Sequence, residues 1–209
     1  RSPEVCGLAP LLVDALADAP RAADGALDAL ARTAFAHVVD ASSAALLQPV
    51  LLRALAPGVC AETKRRAALV VANLATDVMD ARATALFDAA VPRLLSCLSD
   101  PVAEVRANAG RVLGVLVGAV SRASAENGNA MASRLSDALL SVLAGATASS
   151  VERAGAAAAL AEVLCAQGAA AAVAHVVRRA APGLADASPG AREGAAHVLG
   201  ALAVVFGRD

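Results

Sequence analysis

One pattern of charged, small and aliphatic positions recurs along the chain. A charged residue is followed by a small residue three places later, an aliphatic residue seven places later and a small residue eight places later. The pattern reads Lys64, Ala67, Val71, Ala72, then Arg106, Ala109, Leu113, Gly114. It returns as Arg153, Ala156, Leu160, Ala161 and as Arg192, Ala195, Leu199, Gly200. A weaker first copy, Ala23, Ala26, Leu30, Ala31, lacks the charge. The steps between copies are 41, 42, 47 and 39 residues. Offsets of three, seven and eight share one face of an α-helix, so each copy marks the same face of a corresponding helix.

The pattern predicts marked helices near 21–38, 61–76, 101–120, 149–167 and 189–206. They alternate with helices near 5–18, 42–56, 82–98, 130–145 and 169–184. Breaks are expected at Ala19-Pro20, Pro57-Gly58, Asp100-Pro101, Asn127-Gly128, Gly183 and Ser188-Pro189. Pro101 and Pro189 suit a first helical turn, where a missing N–H is harmless, and Asp100 and Ser188 suit the caps before them. No segment alternates with period two between turns, so no sheet is expected. A period near forty residues falls in the range of HEAT and armadillo units. The predicted fold is therefore all-α: a HEAT-repeat α-solenoid of about five antiparallel helix pairs. It forms a single array over 1–209, with repeats near 5–38, 42–76, 82–120, 130–167 and 169–206. One hairpin cannot bury its own apolar face; stacked neighbours make the core, and end units normally carry polar caps. The chain opens at Arg1 on an apolar unit and closes on Gly207-Arg208-Asp209, so it is expected to be a piece of a longer array.

Composition sharpens this picture. Hydrophobic residues make up 58% of the 209, but aromatics only 1%: Phe35, Phe87 and Phe206. Alanine supplies about a quarter of the chain; it is the strongest helix former and lets helix axes approach closely. The mean hydropathy of +0.61 invites a membrane reading. The best uncharged stretches, 163–177 and 194–207, fall short of the roughly 20 apolar residues a span needs. No membrane partner is expected, and the localisation expected is cytoplasmic. The net charge of −1 provides no global basic field. Cys6, Cys60, Cys97 and Cys165 lie far apart in apolar surroundings and are expected to be buried free thiols.

The search for catalytic chemistry returns little. His37 sits near Asp40 at a helix end, where a cap or solvent contact is expected. His175 and His197 fall on separate helices without Cys, Asp or Glu at metal-ligand spacing. No phosphate loop, nucleophile elbow or metalloprotease helix motif is present. The expectation is a non-enzyme with no metal, cofactor or small-molecule substrate. Gly110, Gly114 and Gly118, at four-residue steps, mark a close helix–helix contact. The charges say more. Asp100 and Arg106 are six apart, as are Asp186 and Arg192, and the expectation is a structural ladder in which an Arg of one unit pairs with an Asp of its neighbour. Lys64-Arg65-Arg66 is the chain's one basic triplet. Lys64 holds the ladder position and Arg65 and Arg66 are freest to face a partner; the triplet Lys64, Arg65 and Arg66 is the candidate ribosome or partner contact, to a phosphate or an acidic protein surface.

Several stretches, in order, resemble the general-control translational activators. These are very large HEAT-repeat proteins that activate the amino-acid-starvation kinase on ribosomes. The first is Thr33-Ala34-Phe35-Ala36-His37-Val38-Val39-Asp40 followed by Ala44-Ala45-Leu46-Leu47-Gln48-Pro49-Val50. Glu62-Thr63-Lys64-Arg65-Arg66-Ala67-Ala68 with Val71-Ala72-Asn73-Leu74 follows, then Asp100-Pro101-Val102-Ala103-Glu104-Val105-Arg106 with Gly110-Arg111-Val112-Leu113-Gly114. Next come Val151-Glu152-Arg153-Ala154-Gly155-Ala156-Ala157 with Leu160-Ala161-Glu162-Val163-Leu164, and finally Arg192-Glu193-Gly194 and Val205-Phe206-Gly207. The resemblance covers roughly residues 30–207 and is to the region similar to fungal translation elongation factor three. It departs where the family's larger apolar residues are alanine here, and in the Gly-, Asn- and Ser-rich stretch 121–130. It implies a ribosome-binding scaffold segment whose partners are rRNA or ribosomal proteins and other proteins of the starvation-kinase pathway. The competing expectation is a general protein–protein HEAT scaffold: a transport receptor, a phosphatase scaffold or a tubulin-binding array.

Overall fold

The computed structural model describes residues 2–17, 20–33, 39–77, 84–168 and 170–206. Among them are ten α-helices: α1 (Pro3–Ala17), α2 (Pro20–Arg32), α3 (Ala41–Ala54), α4 (Ala61–Asp77), α5 (Thr84–Cys97), α6 (Ala103–Ala123), α7 (Ala125–Ala144), α8 (Ser150–Gln167), α9 (Ala170–Ala180) and α10 (Pro189–Phe206). A 3-10 turn, Ala181–Ala185, extends α9. The expected cap at His37, the break at Ala19 and the closing tripeptide 207–209 lie outside the described residues. The chain resolves into two compact units, Arg1–Cys97 and Leu98–Asp209.

Local chemistry sets the helix ends. Asp40 caps α3, its Oδ1 accepting the Ser43 N–H at 3.0 Å, and these bonds hold its carboxyl below the ordinary range. Ser149 and Glu152 form a reciprocal capping box at α8: Ser149 Oγ takes the Glu152 N–H while Glu152 returns to the Ser149 N–H at 2.7 Å. Gly168 ends α8 in the left-handed conformation, and Gly58 turns the chain from α3 to α4 with φ +82°. Pro189 opens α10 as expected. Pro101 instead lies just outside α6, whose cap position is Val102; Asp100 Oδ1 accepts the Val102 N–H at 2.9 Å. The break expected at Asn127-Gly128 is a correction. The chain turns three residues earlier, on Ser124 alone, which is extended and both ends α6 and caps α7. Gly128 lies inside α7, and a Cβ there would come within 2.7 Å of Ser121 Cβ, so the glycine marks a helix crossing rather than a turn.

Within the first unit, like helices lie side by side and parallel, one repeat apart. Ser2 N–H donates to Ser43 Oγ, and Arg53 at the other end of α3 reaches the carbonyls of Ala15 and Leu16. Cys97 Sγ reaches the Leu55 carbonyl. On the second layer, Thr63 Oγ1 donates to Asp24 Oδ1 at 2.6 Å and Arg66 pairs with Asp28. These partners are 37 to 42 positions apart where a separation is recorded. The marked positions form the buried seam: Leu30, Ala67, Val71, Leu113, Ala156, Leu160 and Ala161 are all 1% exposed or less. Leu199 of the last copy is only half-buried; there the core shifts to Gly194, Ala195, Val198 and Leu202. Prolines stand inside α1, α3 and α5 at Pro10, Pro49 and Pro92 without ending them, although each removes one helical hydrogen bond.

In the second unit, α6 and α8 run parallel with a glycine edge between them. A Cβ on Gly110 would stand 3.1 Å from Ala159 Cα, one on Gly114 2.8 Å from the Glu162 carbonyl oxygen, and one on Gly118 4.0 Å from Ala166 Cβ. This is the close contact expected of the three glycines. From α8, Gly155 presses on the Leu98 carbonyl. Two effects therefore oppose each other when alanine replaces these glycines. Helix propensity favours alanine by about 1 kcal/mol, while overpacking a close contact costs about 1–3 kcal/mol. Gly114→Ala and Gly155→Ala are expected to destabilise, whereas Gly25→Ala, with nothing within 4 Å of its added Cβ, is expected to stabilise. Urea unfolding followed by far-ultraviolet circular dichroism checks both signs.

Candidate functional site

The basic triplet straddles the first and second turns of α4, which opens Ala61-Glu62-Thr63-Lys64-Arg65-Arg66. Unpaired N–H groups make a helix start partly positive, so arginines there need compensation. Glu62 supplies it. Arg65 grips its carboxylate as a two-pronged fork, Nε to Oε2 at 2.9 Å and Nη2 to Oε1 at 2.8 Å. Arg66 Nε donates to the same Oε1 at 2.9 Å. The Arg65 bonds, with those of Arg66, pull the Glu62 carboxyl down to a pKa of about 2. Arg66 also reaches back to Asp28 of α2, Nη1 to Oδ1 at 3.2 Å, and Asp28 stands 3.9 Å from Arg32 in the same last turn. The result is a row of alternating charges, Arg32–Asp28–Arg66–Glu62–Arg65, joining the end of α2 to the start of α4. The row holds three arginines and two carboxylates. The side chains of Arg32 and Arg65, at the two ends, are 82% and 48% exposed; that of Arg66 in the middle is 30%.

Lys64 does not share this edge. It is 8% exposed and lies among the buried positions Thr63, Ala67 and Ala68, its aliphatic stem taken into the packing. The structure thus brings Arg65 and Arg66 together and turns Lys64 inward. Arg32, Asp28 and Glu62 escaped the sequence reading. Their signal was available: Glu62 precedes the arginines at helical spacings of three and four, and Asp28 and Arg32 form a spacing of four.

The proposed ladder residues occupy equivalent places in two repeats. Arg106 Nη1 donates to the carbonyls of Asp100 and Pro101 at 2.7 and 2.9 Å. Arg192 Nη1 donates to those of Asp186 and Ala187 at 2.8 and 2.9 Å. Asp186 Oδ1 accepts the Ser188 N–H just as Asp100 accepts that of Val102. In both repeats the arginine clasps the loop that leads into its own helix. An ion pair linking one repeat to the next is found at Arg153, the same motif position in α8. Its Nη1 lies 3.2 Å from Glu193 Oε2 on α10, and its Nη2 donates to the Gly145 carbonyl at 3.0 Å. The Arg153 side chain is 8% exposed, and its Nε has no hydrogen-bond partner among the described residues. Gly190 makes room for it: a Cβ there would stand 2.7 Å from Nη2. A Ser150 hydrogen bond, then Arg153 and His197, hold the Glu193 carboxyl below its ordinary value.

Cys97 is a buried free thiol as expected, but Cys6, Cys60 and Cys165 are exposed, a correction to the expected burial. Cys6 and Cys165 lie on the outer sides of α1 and α8, and Cys60 lies in the turn before α4. Among the described residues, no group of three or more His, Cys, Asp or Glu side chains could hold a metal ion, and no helix is long and apolar enough to cross a membrane.

Residues 21–127 match the family model for the elongation factor 3/GNC1 HEAT repeat. The chain belongs to the elongation factor 3/GNC1 HEAT-repeat family. Its fold class is the all-α HEAT-repeat solenoid. The matched span contains the whole α2–α4 charge row and the α6 glycine edge. Beyond the family, the chain is 33% identical over 168 residues to the human protein named stalled ribosome sensor GCN1. It is 34% identical over 169 residues to protein ILITYHIA of Arabidopsis thaliana, and 33% over 164 residues to the eIF-2-alpha kinase activator GCN1 of Saccharomyces cerevisiae. These alignments cover 78–80% of the chain but only 6% of each relative. No solved structure matches the chain.

Two outcomes follow for stability. Arg153→Ala removes the link from α8 to α10 and leaves the Gly145 carbonyl and Glu193 without it; a loss of about 2–4 kcal/mol is expected by urea unfolding. The Glu62, Glu152 and Glu193 carboxyls all lie below their ordinary 4.5, Glu152 through its Ser149 bonds. Each contributes stability in full above the unfolded value and loses it as pH falls through its folded value, near 2 for Glu62. The thermal midpoint is therefore expected to be level above about pH 5 and to drop on acidification toward pH 2. A midpoint that rises over that window would contradict these assignments.

Proposed function

We propose that this chain is a non-catalytic binding segment of a cytoplasmic, ribosome-associated translational activator that stimulates the amino-acid-starvation kinase. The observation that carries the reading is the family match over residues 21–127, which includes the exposed arginines of the α2–α4 edge. The relatives' names, a stalled ribosome sensor and an eIF-2-alpha kinase activator, supply the process. On this reading Arg65 and Arg66, with Arg32 beside them, meet ribosomal RNA phosphates. Lys64 serves from within, fixing the turn that presents them. Arginine suits the task because its planar fork donates two parallel hydrogen bonds to an oxyanion. Asp100, Arg106, Asp186 and Arg192 hold the loops between helices and so set the spacing of successive repeats.

The test is co-sedimentation of the 209-residue chain with purified ribosomes across a salt series. Binding through phosphate contacts weakens steeply with salt. The double variant Arg65→Glu, Arg66→Glu is expected to keep its helical signal and to lose most of its sedimentation at low salt. Undiminished sedimentation of that variant removes these residues from the interface. If the unaltered chain stays in the supernatant at low salt while capturing a defined transport, phosphatase or tubulin partner, the general protein-scaffold reading replaces this one.

A further inference from the structure

Glu62 occupies the position in which an external oxyanion would be bound. Its two oxygens fill the Arg65 fork at 2.9 and 2.8 Å, and one of them takes the Arg66 Nε as well. Asp28 holds Nη1 of Arg66 and faces Arg32. The row lies at the surface: the Glu62 side chain is 47% exposed and that of Asp28 38%. A carboxylate with charge −1 and two coplanar oxygens presents to a guanidinium the same two-point contact as a phosphodiester. Incoming phosphate must therefore exchange with a ligand already in place, in a surface setting where each exchange is nearly balanced.

We propose that Glu62, assisted by Asp28, is a built-in competitor for the arginines of this edge. It holds Arg65 and Arg66 in a neutralised fork until a structured RNA backbone displaces it. The inference rests on the RNA-binding reading of the same edge and specifies how that edge is regulated. A single phosphate, offering no more than Glu62 already provides, does not displace it. A duplex backbone offers several phosphates at once and can engage Arg32, Arg66 and Arg65 together. The row thus discriminates against free phosphate and isolated acidic side chains and favours a polyanion of regular spacing. Glu62 has a structural role too, because a carboxylate in the first turn suits the helix dipole. Competition and structural support make opposite demands when the charge is removed.

The experiment measures binding of a fluorescein-labelled RNA hairpin to the 209-residue chain by anisotropy across a salt series, for the unaltered chain, Glu62→Gln, Asp28→Asn and the Arg65→Glu, Arg66→Glu double variant. Circular dichroism establishes that each is folded. Glu62→Gln is expected to bind the hairpin about three- to fivefold more tightly at low salt, with the slope of log affinity against log salt little changed, because the same arginines meet phosphates once Glu62 has been displaced. Asp28→Asn is expected to act in the same direction and more weakly. A purely structural Glu62 predicts the reverse: a lower melting temperature and RNA affinity unchanged or reduced, which overturns the proposal. Tighter binding of Glu62→Gln to poly-glutamate but not to the hairpin also overturns it, in favour of an acidic protein partner. If the arginine double variant binds RNA as well as the unaltered chain, the underlying reading of the edge fails. If it loses binding while Glu62→Gln is unaffected, only the competition fails.

Discussion

The approach of one repeat's second helix to the next is the constraint on which the structure depends. Gly110 and Gly114 of α6 lie so near Ala159 and Glu162 of α8 that a single added methyl would meet backbone atoms at 2.8–3.2 Å. In the first unit the same face is made by Ala67, Val71 and their neighbours on α4. Close approach of small side chains replaces the large aromatic core that a chain with 1% aromatics cannot build. Dispersion between many atoms in contact, rather than a few large anchors, then supplies the cohesion. It also explains the abundance of alanine, which combines high helix propensity with a thin profile.

That packing determines where charge can stand. A face that tight admits a long cation only at its margin. Arg153 illustrates the margin: its guanidinium lies over Gly190, with Glu193 and the Gly145 carbonyl as partners. Arg106 and Arg192 turn onto loop carbonyls. Lys64, in the same motif position, is drawn inward, while the two arginines that follow it are carried by helical rotation onto the open edge. Repeat packing and the candidate binding edge are thus two sides of one helix. The helix start that exposes Arg65 and Arg66 is also what makes Glu62 necessary beside them.

Much of the fold was legible in the sequence because a three-seven-eight pattern with punctuation has few alternatives. The helices near 61–76, 149–167 and 189–206 fall within a residue or so of α4, α8 and α10. The turn at Asn127-Gly128 was misplaced because glycine has two uses, and only the crossing partner, Ser121, reveals which applies. Pro10, Pro49 and Pro92 fall inside the helices expected near 5–18, 42–56 and 82–98, and the structure keeps them inside α1, α3 and α5. The capping box at Ser149 and Glu152 was legible in principle. Of the candidate site, the triplet could be named, but its state could not. Asp28's spacing of four to Arg32 was readable, but its contact with Arg66 on another helix left no local trace. Glu193, the partner of Arg153, was missed for the same reason.

The packed faces carry the fold, and the α2–α4 edge is the proposed ribosome contact. Hydrogen–deuterium exchange of the chain, free and ribosome-bound, tests it most directly. The amides of 61–63 start a helix and have no intrahelical acceptor, so they exchange quickly unless covered. Slowed exchange on binding is expected at 61–66 and at the end of α2, 28–32, with the α8 amides at 156–164 unchanged. Protection confined to α7 through α10, with residues 28–32 and 61–66 exchanging as in the free chain, would contradict it.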